Sequence, residues 1–204
     1  MSKEALMCLR LLGPRVHLLR ISALLACLVR RMQCTPQPLT LYGVTKLAVE
    51  GIARVYAADY GIASVGLRPY VVYGPGESSG IAAGPSIAIA ASRRKEAATI
   101  RFSGRVGFVY VDDVAQLLAA ATTRPIQGAT VLTMTGDTRE IVDFKAALVA
   151  RTGWTTIDIE GPPLRIPSDL TSDPVPLWLG NHPPTSIEDG IEASIAALRG
   201  QNGP

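Results

Sequence analysis

Tyr42 and Lys46 stand four residues apart in LYGVTKLAVE, a spacing that stacks two side chains on one face of a helix. A tyrosine titrates at roughly pH 10 in water, so it is a poor base at neutrality unless a nearby positive charge favours the phenolate. A lysine ammonium one turn away supplies that charge and can also donate hydrogen bonds to a ribose. Such a pair can take a proton from a substrate hydroxyl, or return it, while hydride passes to or from a nicotinamide. Taken alone, Y-x-x-x-K is a weak signal, because any tyrosine on a lysine-bearing helix matches it. The bland alternative is a helix-start tyrosine beside a solvated lysine.

The surrounding elements have to place that pair. Residues 43–60 carry Val44, Leu47, Ala48, Ile52, Val55 and Tyr56 near a helical period and stop at Gly61, which predicts one helix. Residues 63–73 are β-rich, and a near-continuous apolar run of this kind suits a buried parallel strand. The glycine-rich GPGESSGIAAGP follows and leads into a helix over 86–94. Strands are expected at ATIRF, FVYV, GATVLTMTG and TTIDIE. Further helices are expected after Asp112, which can cap a first turn, and from a Thr138 cap to about Thr152. Seven prolines between Gly161 and Thr185 forbid long regular structure there. Thr185 and Glu188 form a T-x-x-E capping box for a last helix with Ile187, Ile191, Ile195 and Leu198 on one stripe. Alternating helices and strands predict an α/β fold with a mainly parallel sheet.

The chain has 204 residues, 48% hydrophobic and 18% charged, which suits one globular domain and excludes a disordered chain. Its net charge of +3 is unevenly spread. Residues 1–34 hold six basic side chains and one acidic, so residues 35–204 are net −2. All three cysteines (Cys8, Cys27, Cys34) also lie in the first segment, and with His17 and His182 far apart no metal pattern appears. The composition break predicts an atypical basic leader over 1–34, of the kind a frameshift or misassigned start produces, ahead of a catalytic part over 35–204. The run LLRISALLACLV is too short for a membrane span, and its basic pair follows it, unlike a signal peptide. Free cysteines fit a reducing cytoplasm. The basic charge alone does not support nucleic-acid binding, because no aromatic stacking platform or recognisable module accompanies it.

The order LYGVTKLAVEGIARVYAADYGIASVGLRPYVVYGPG, then FVYVDDVAQLLAAA, then TSIEDGIEASIAAL resembles the extended short-chain dehydrogenase/reductase family, the NAD-dependent epimerase/dehydratase group, from about Leu39 onward. The resemblance implies a partial Rossmann-like sheet with a small substrate-binding lobe. It implies that Tyr42 is the acid/base and that Lys46 holds the nicotinamide ribose of NAD or NADP. Pro69, Tyr70, Val71 and Val72 would border the nicotinamide. Tyr73, Ser86 and Arg105 would face the substrate, Arg105 meeting an anionic group. Two long helices often pair as a homodimer in the family, and the helix carrying Tyr42 would be one of them. Asp112 and Asp113 match the family's V-D-D helix start, with capping as their role.

Three departures qualify the resemblance. Gly13 is the only glycine before Gly43, so the family's glycine-rich phosphate turn is not recognised. Ser22 and Thr35 are the only hydroxyls near the place of the family's catalytic Ser or Thr. Val71 occupies the position of an asparagine common in sugar-nucleotide epimerases, which favours a smaller hydroxy or keto carbohydrate-like substrate. GPGESSG imitates a dinucleotide fingerprint, but Pro75 and the long span to Gly80 favour a substrate-side loop. Two function classes remain open. One is an NAD(P)-dependent epimerase/dehydratase-type oxidoreductase. The other is an inactive remnant or small-molecule binding protein without cofactor binding.

Overall fold

The computed structural model describes residues 18–21, 27–28, 37–38, 40–164, 166 and 171–200. Cys8, Gly13, His17, Ser22, Cys34 and Thr35 lie outside the described residues. Three strands, β1 (Leu18–Ile21), β4 (Ser64–Pro69) and β8 (Ala129–Met134), form a parallel sheet in the order β1-β4-β8. β1 falls within the basic leader, upstream of Cys34. β2 (Cys27–Leu28) and β3 (Gln37–Pro38) pair antiparallel just before helix α1 (Leu41–Tyr60), which crosses from β1 to β4. α1 starts because Thr40 is extended and its Oγ1 accepts the Gly43 N–H at 3.1 Å. It stops because Gly61 turns left-handed at φ 65°.

The expected single strand over 63–73 is two strands in two sheets. β4 ends at Pro69, and Tyr70 N–H reaches the Met134 carbonyl at 3.0 Å. β5 (Val71–Tyr73) then leaves for a second sheet of order β5-β7-β9, with β7 at Arg105–Tyr110 and β9 at Asp137–Glu140. β5 and β7 are parallel, whereas β7 and β9 are antiparallel. Proline carries no N–H, so Pro69 gives the ladder nothing to continue with. At the crossing of the two sheets the backbones touch. A Cβ on Gly107 would lie 2.0 Å from the Thr135 carbonyl oxygen, and one on Gly136 would lie 2.0 Å from that of Phe108. Only hydrogen fits at those two places.

The lobe is completed by α2 (Gly84–Arg94), β6 (Ala98–Ile100), α4 (Ile141–Thr152), β10 (Ile157–Ile159) and α5 (Ile187–Gly200), with β6 and β10 paired in parallel. Tyr73, Ile100, Phe108, Phe144, Leu148 and Ile191 sit at its centre, all at most 1% exposed. A second core under the parallel sheet joins Val65, Leu67, Leu117 and Leu132 to α3 (Val111–Thr123) and to Leu179 of the proline-rich segment. That segment forms one short 3₁₀ turn at Leu177–Leu179 and lies along β8, where Asp173 accepts the Thr133 N–H and Ser172 that of Thr135.

Three expected caps differ. Thr138 lies inside β9, and α4 is opened by Glu140 with Asp143 in a reciprocal capping box. Neither Asp112 nor Asp113 caps α3, whose N-cap is Tyr110 with no side-chain cap bond; both lie inside its first turn. The Asp113 carboxylate accepts the N–H and hydroxyl of Thr185 at 2.9 and 2.6 Å, fastening the start of α5 to α3. Thr185 is therefore engaged elsewhere, and Ser186 caps α5 by accepting the Asp189 N–H at 3.1 Å. Glu188 instead pairs with Arg139.

Candidate functional site

In a parallel sheet the crossing helix runs against the strands, so its first turn lies along the edge where the strands end. Tyr42 and Lys46 occupy the first turns of α1, and Pro69–Val72 is the end of β4 and its continuation. Ligands of open α/β sheets bind at that carboxyl edge. Tyr42 is 46% exposed, so its phenol is open to a reactant. The Lys46 Nζ lies over the Tyr42 ring, 5.2 Å from its centroid. Thr45 Oγ1 donates to the Tyr42 carbonyl at 2.7 Å, which ties the first turn to itself. One turn further along the same face, Glu50 is buried and pairs with Arg68 of β4.

The remaining expected site residues separate into lining and core. Pro69, Tyr70 and Val71 are buried and Val72 is half-buried, so this stretch offers mainly backbone and the Val72 side chain to the edge. Tyr73 is wholly buried among Phe108, Tyr110 and Phe144, and its hydroxyl donates to the Ser186 carbonyl at 3.3 Å. Burial pushes the Tyr73 phenol well above its ordinary range, and the Asp113 and Asp137 carboxylates push it further. Tyr110 is raised by burial as well, with Asp112 adding to it. Of the three, Tyr42 is the exposed one.

Ser86 is 4% exposed, and its Oγ accepts the Gly74 N–H at 3.1 Å and faces Glu77 Oε2 at 3.4 Å. It shapes the GPGE turn from inside. Burial raises the Glu77 carboxyl, and the Ser86 hydrogen bond opposes that rise. Arg105 is exposed at the start of β7 opposite Glu140. The loop after Gly76 borders a cleft of about 470 Å³ lined by Ser78, Ser79, Gly80, Ile81, Gly84, Ile87, Thr99 and Arg101. Arg101 was not singled out by the sequence reading. Its signal is an arginine directly after the strand ATI, and it shares the cleft's lining with the glycine-rich loop.

The donors at the ribose and nicotinamide end, an ammonium over a phenol beside a strand end, fit a dinucleotide's reactive half. Among the described residues the glycine-rich strand-to-helix turn is GPGESSG, between β5 and α2; the Cβ position of Gly74 is filled by Val111 at 2.4 Å, while nothing lies within 4 Å of those of Gly76 and Gly80. Among the described residues no His/Cys/Asp/Glu group could hold a metal, and no helix is long and apolar enough to cross a membrane.

Residues 7–133 match the NAD dependent epimerase/dehydratase family, a span that begins inside the basic leader and includes β1 and α1. The chain is 29% identical over 178 residues to an uncharacterized UDP-glucose epimerase, YtcB, of Bacillus subtilis, covering 79% of this chain and 52% of that protein. The chain thus spans about half the length of that relative. The UDP-glucuronic acid 4-epimerase of Bacillus cereus, solved with UDP-glucuronic acid and NAD, superposes with a TM-score of 0.69 at 25% identity, over 91% of this chain and 62% of that one. The UDP-glucose 4-epimerase of Thermus thermophilus, solved with NAD, gives 0.68 at 25% identity, over 90% and 64%. The parallel β-α-β arrangement, the tyrosine and lysine at the strand-end edge and the matched span together place the sequence: this chain belongs to the NAD dependent epimerase/dehydratase family.

Proposed function

We propose that this chain carries the proton-transfer and substrate-side part of an NAD(P)-dependent epimerase/dehydratase-type oxidoreductase acting on a hydroxy or keto carbohydrate-like substrate. The observation that carries the reading is the Lys46 ammonium over the exposed Tyr42 ring at the carboxyl edge of the sheet. NAD or NADP, when bound, accepts or returns hydride. Tyr42 Oη takes the proton from the substrate hydroxyl and gives it back to the keto oxygen. Lys46 offsets the negative charge that develops on the phenol and donates hydrogen bonds to the cofactor ribose. The Pro69–Val72 backbone and the Val72 side chain would form the wall beside a bound nicotinamide.

The cleft beside the loop 76–81 has Ser78, Ser79, Thr99 and Arg101 in its lining together with Ile81 and Ile87, residue types that suit a substrate with hydroxyls, a negative charge and an apolar face. Arg105, at the start of β7, is a second exposed cation of the same lobe. The relatives named above, as sugar-nucleotide epimerases, make such a substrate class the natural one to assay first. Three cysteines at spacings that give no disulfide framework suit a cytoplasmic setting. A homodimer belongs to the same reading. Leu41, Val44, Ala48, Ile52 and Val55 recur at three- and four-residue spacing on α1 and are exposed, an apolar seam fitted to a second copy of the helix.

Titration of the chain with NADH and NADPH by fluorescence tests the reading directly, followed by turnover with UDP-sugars. Binding in the micromolar range, and turnover abolished by Tyr42→Phe with an unchanged melting temperature, are the expected results. Absence of binding at millimolar cofactor, or full turnover in Tyr42→Phe, refutes it. Sedimentation of Ile52→Glu tests the pairing. A monomer is expected from the variant and a dimer from the parent.

A further inference from the structure

We propose that the Glu50–Arg68 ion pair is a latch that fixes where Tyr42 and Lys46 stand against the strand end Pro69–Val72, making Glu50 and Arg68 positioning residues of the site. The inference rests on the reading of Tyr42 and Lys46 given above. α1 is 20 residues long, yet it buries only Gly43, Glu50 and Ala53. Glycine and alanine have no reach, and a helix seated on two such residues can slide or roll at little cost. Of its large apolar side chains, Val44, Val49, Ile52 and Val55 are exposed and Leu47 and Tyr56 are only half-buried, so none is locked into a core. The one long buried side chain of the helix is a carboxylate, 3% exposed.

That carboxylate meets a partner of fixed geometry. Arg68 Nε donates to Glu50 Oε1 at 2.8 Å, and the second guanidinium nitrogen donates to Oε2. A two-point contact between planar groups sets direction as well as distance. The pair joins the two halves of the site. Glu50 stands eight residues, about 12 Å of rigid helix, from Tyr42, and Lys46 lies between them on the same face. Arg68 is covalently next to Pro69. A shift of the pair therefore moves the acid/base against the nicotinamide wall without changing the distance between Tyr42 and Lys46. Buried ion pairs stabilise less than apolar side chains of the same volume, so an ion pair here contributes specificity of placement where a leucine would only contribute burial.

Backbone amide exchange tests the latch without requiring turnover. Glu50→Gln, the milder Arg68→Lys, and the reversed pair Glu50→Arg with Arg68→Glu are compared with the parent. In either single variant, exchange across residues 44–60 is expected to rise at least tenfold while that of β8 holds, and the reversed pair is expected to recover most of the protection. Equal acceleration in α1 and β8, or no change in α1, overturns the latch; Arg68→Lys decides the matter if Glu50→Gln does not fold. NADH affinity is measured in parallel and is expected to fall at least tenfold in the single variants. Faster exchange in α1 with unchanged NADH affinity overturns the positioning role. A parent chain that binds no NADH refutes the functional reading, and the exchange data then still decide whether the pair is the latch.

Discussion

Gly190→Ala is expected to destabilise the protein even though it replaces a glycine in the second turn of a helix. Helix propensity alone favours alanine there by about 1 kcal/mol. A Cβ at this position, however, would lie 2.0 Å from Tyr73 Oη and 2.7 Å from its Cζ. Ordinary contact is near 3.5 Å, so the phenol must retreat by roughly 1.5 Å. It has nowhere to go. Tyr73 has no exposed surface, and its ring lies 5.5 Å from Phe144, 5.6 Å from Tyr110 and 6.2 Å from Phe108, centroid to centroid. Moving it also breaks the 3.3 Å hydrogen bond to the Ser186 carbonyl. Overpacking costs about 1–3 kcal/mol and the lost hydrogen bond about 1 kcal/mol, against the propensity gain. The net loss is about 1–3 kcal/mol. For a chain of this size that lowers the melting temperature by roughly 2–12 °C. Differential scanning fluorimetry reads it, and the double variant Gly190→Ala/Tyr73→Phe should recover part of the loss because the nearest clashing atom is gone. A higher melting temperature in Gly190→Ala, or no coupling in the double variant, refutes the argument that Tyr73 is locked into the lobe core against α5.

Other expectations follow from the same contacts. Arg139 holds the Glu188 carboxyl below its ordinary range, so the stability this pair adds is present above that range and is lost as pH falls through the depressed value. Both side chains are about one-third exposed, which limits the effect to about 0.2–1 kcal/mol; the melting temperatures of the parent and Glu188→Gln should differ near neutrality and converge in acid. Gly107→Ala would set a Cβ 2.0 Å from the Thr135 carbonyl oxygen, backbone against backbone, so a loss of about 3 kcal/mol is expected in urea unfolding. Asp113→Ala strands the N–H and hydroxyl of Thr185, a loss on the order of 2 kcal/mol, and limited proteolysis should cut the segment before Thr185 faster in that variant.

The fold was legible where the signal is local. α1 was placed to within two residues because its periodicity and its stop at Gly61 are both carried by adjacent residues. The strand over 63–73 was read as one because its composition is uniformly β-like; what divides it is Pro69 against β8 and the departure of β5 toward β7, and neither partner is near in sequence. The caps failed for a related reason. Asp113, Thr138, Thr185 and Glu188 have the right chemistry at the right spacing. Three of them are claimed by distant partners, Asp113 and Thr185 by each other and Glu188 by Arg139, while Thr138 is taken into β9. Short polar side chains near a helix start compete between their own turn and the rest of the fold.

The same division runs through the site. Tyr42 and Lys46 could be paired from sequence because one helical turn joins them. Glu50 could not be paired with Arg68, although it continues the same i, i+4 series, because a glutamate on a helix reads as solvated unless a partner is known. The pattern Y-x-x-x-K-x-x-x-E followed by an arginine directly before the strand-ending proline is itself the signal. The helix exposes most of its large apolar residues and buries Glu50, one of its two acids. In this helix the buried charged residue on the face of Tyr42 and Lys46 is the one that meets the strand the helix leads into, through Arg68.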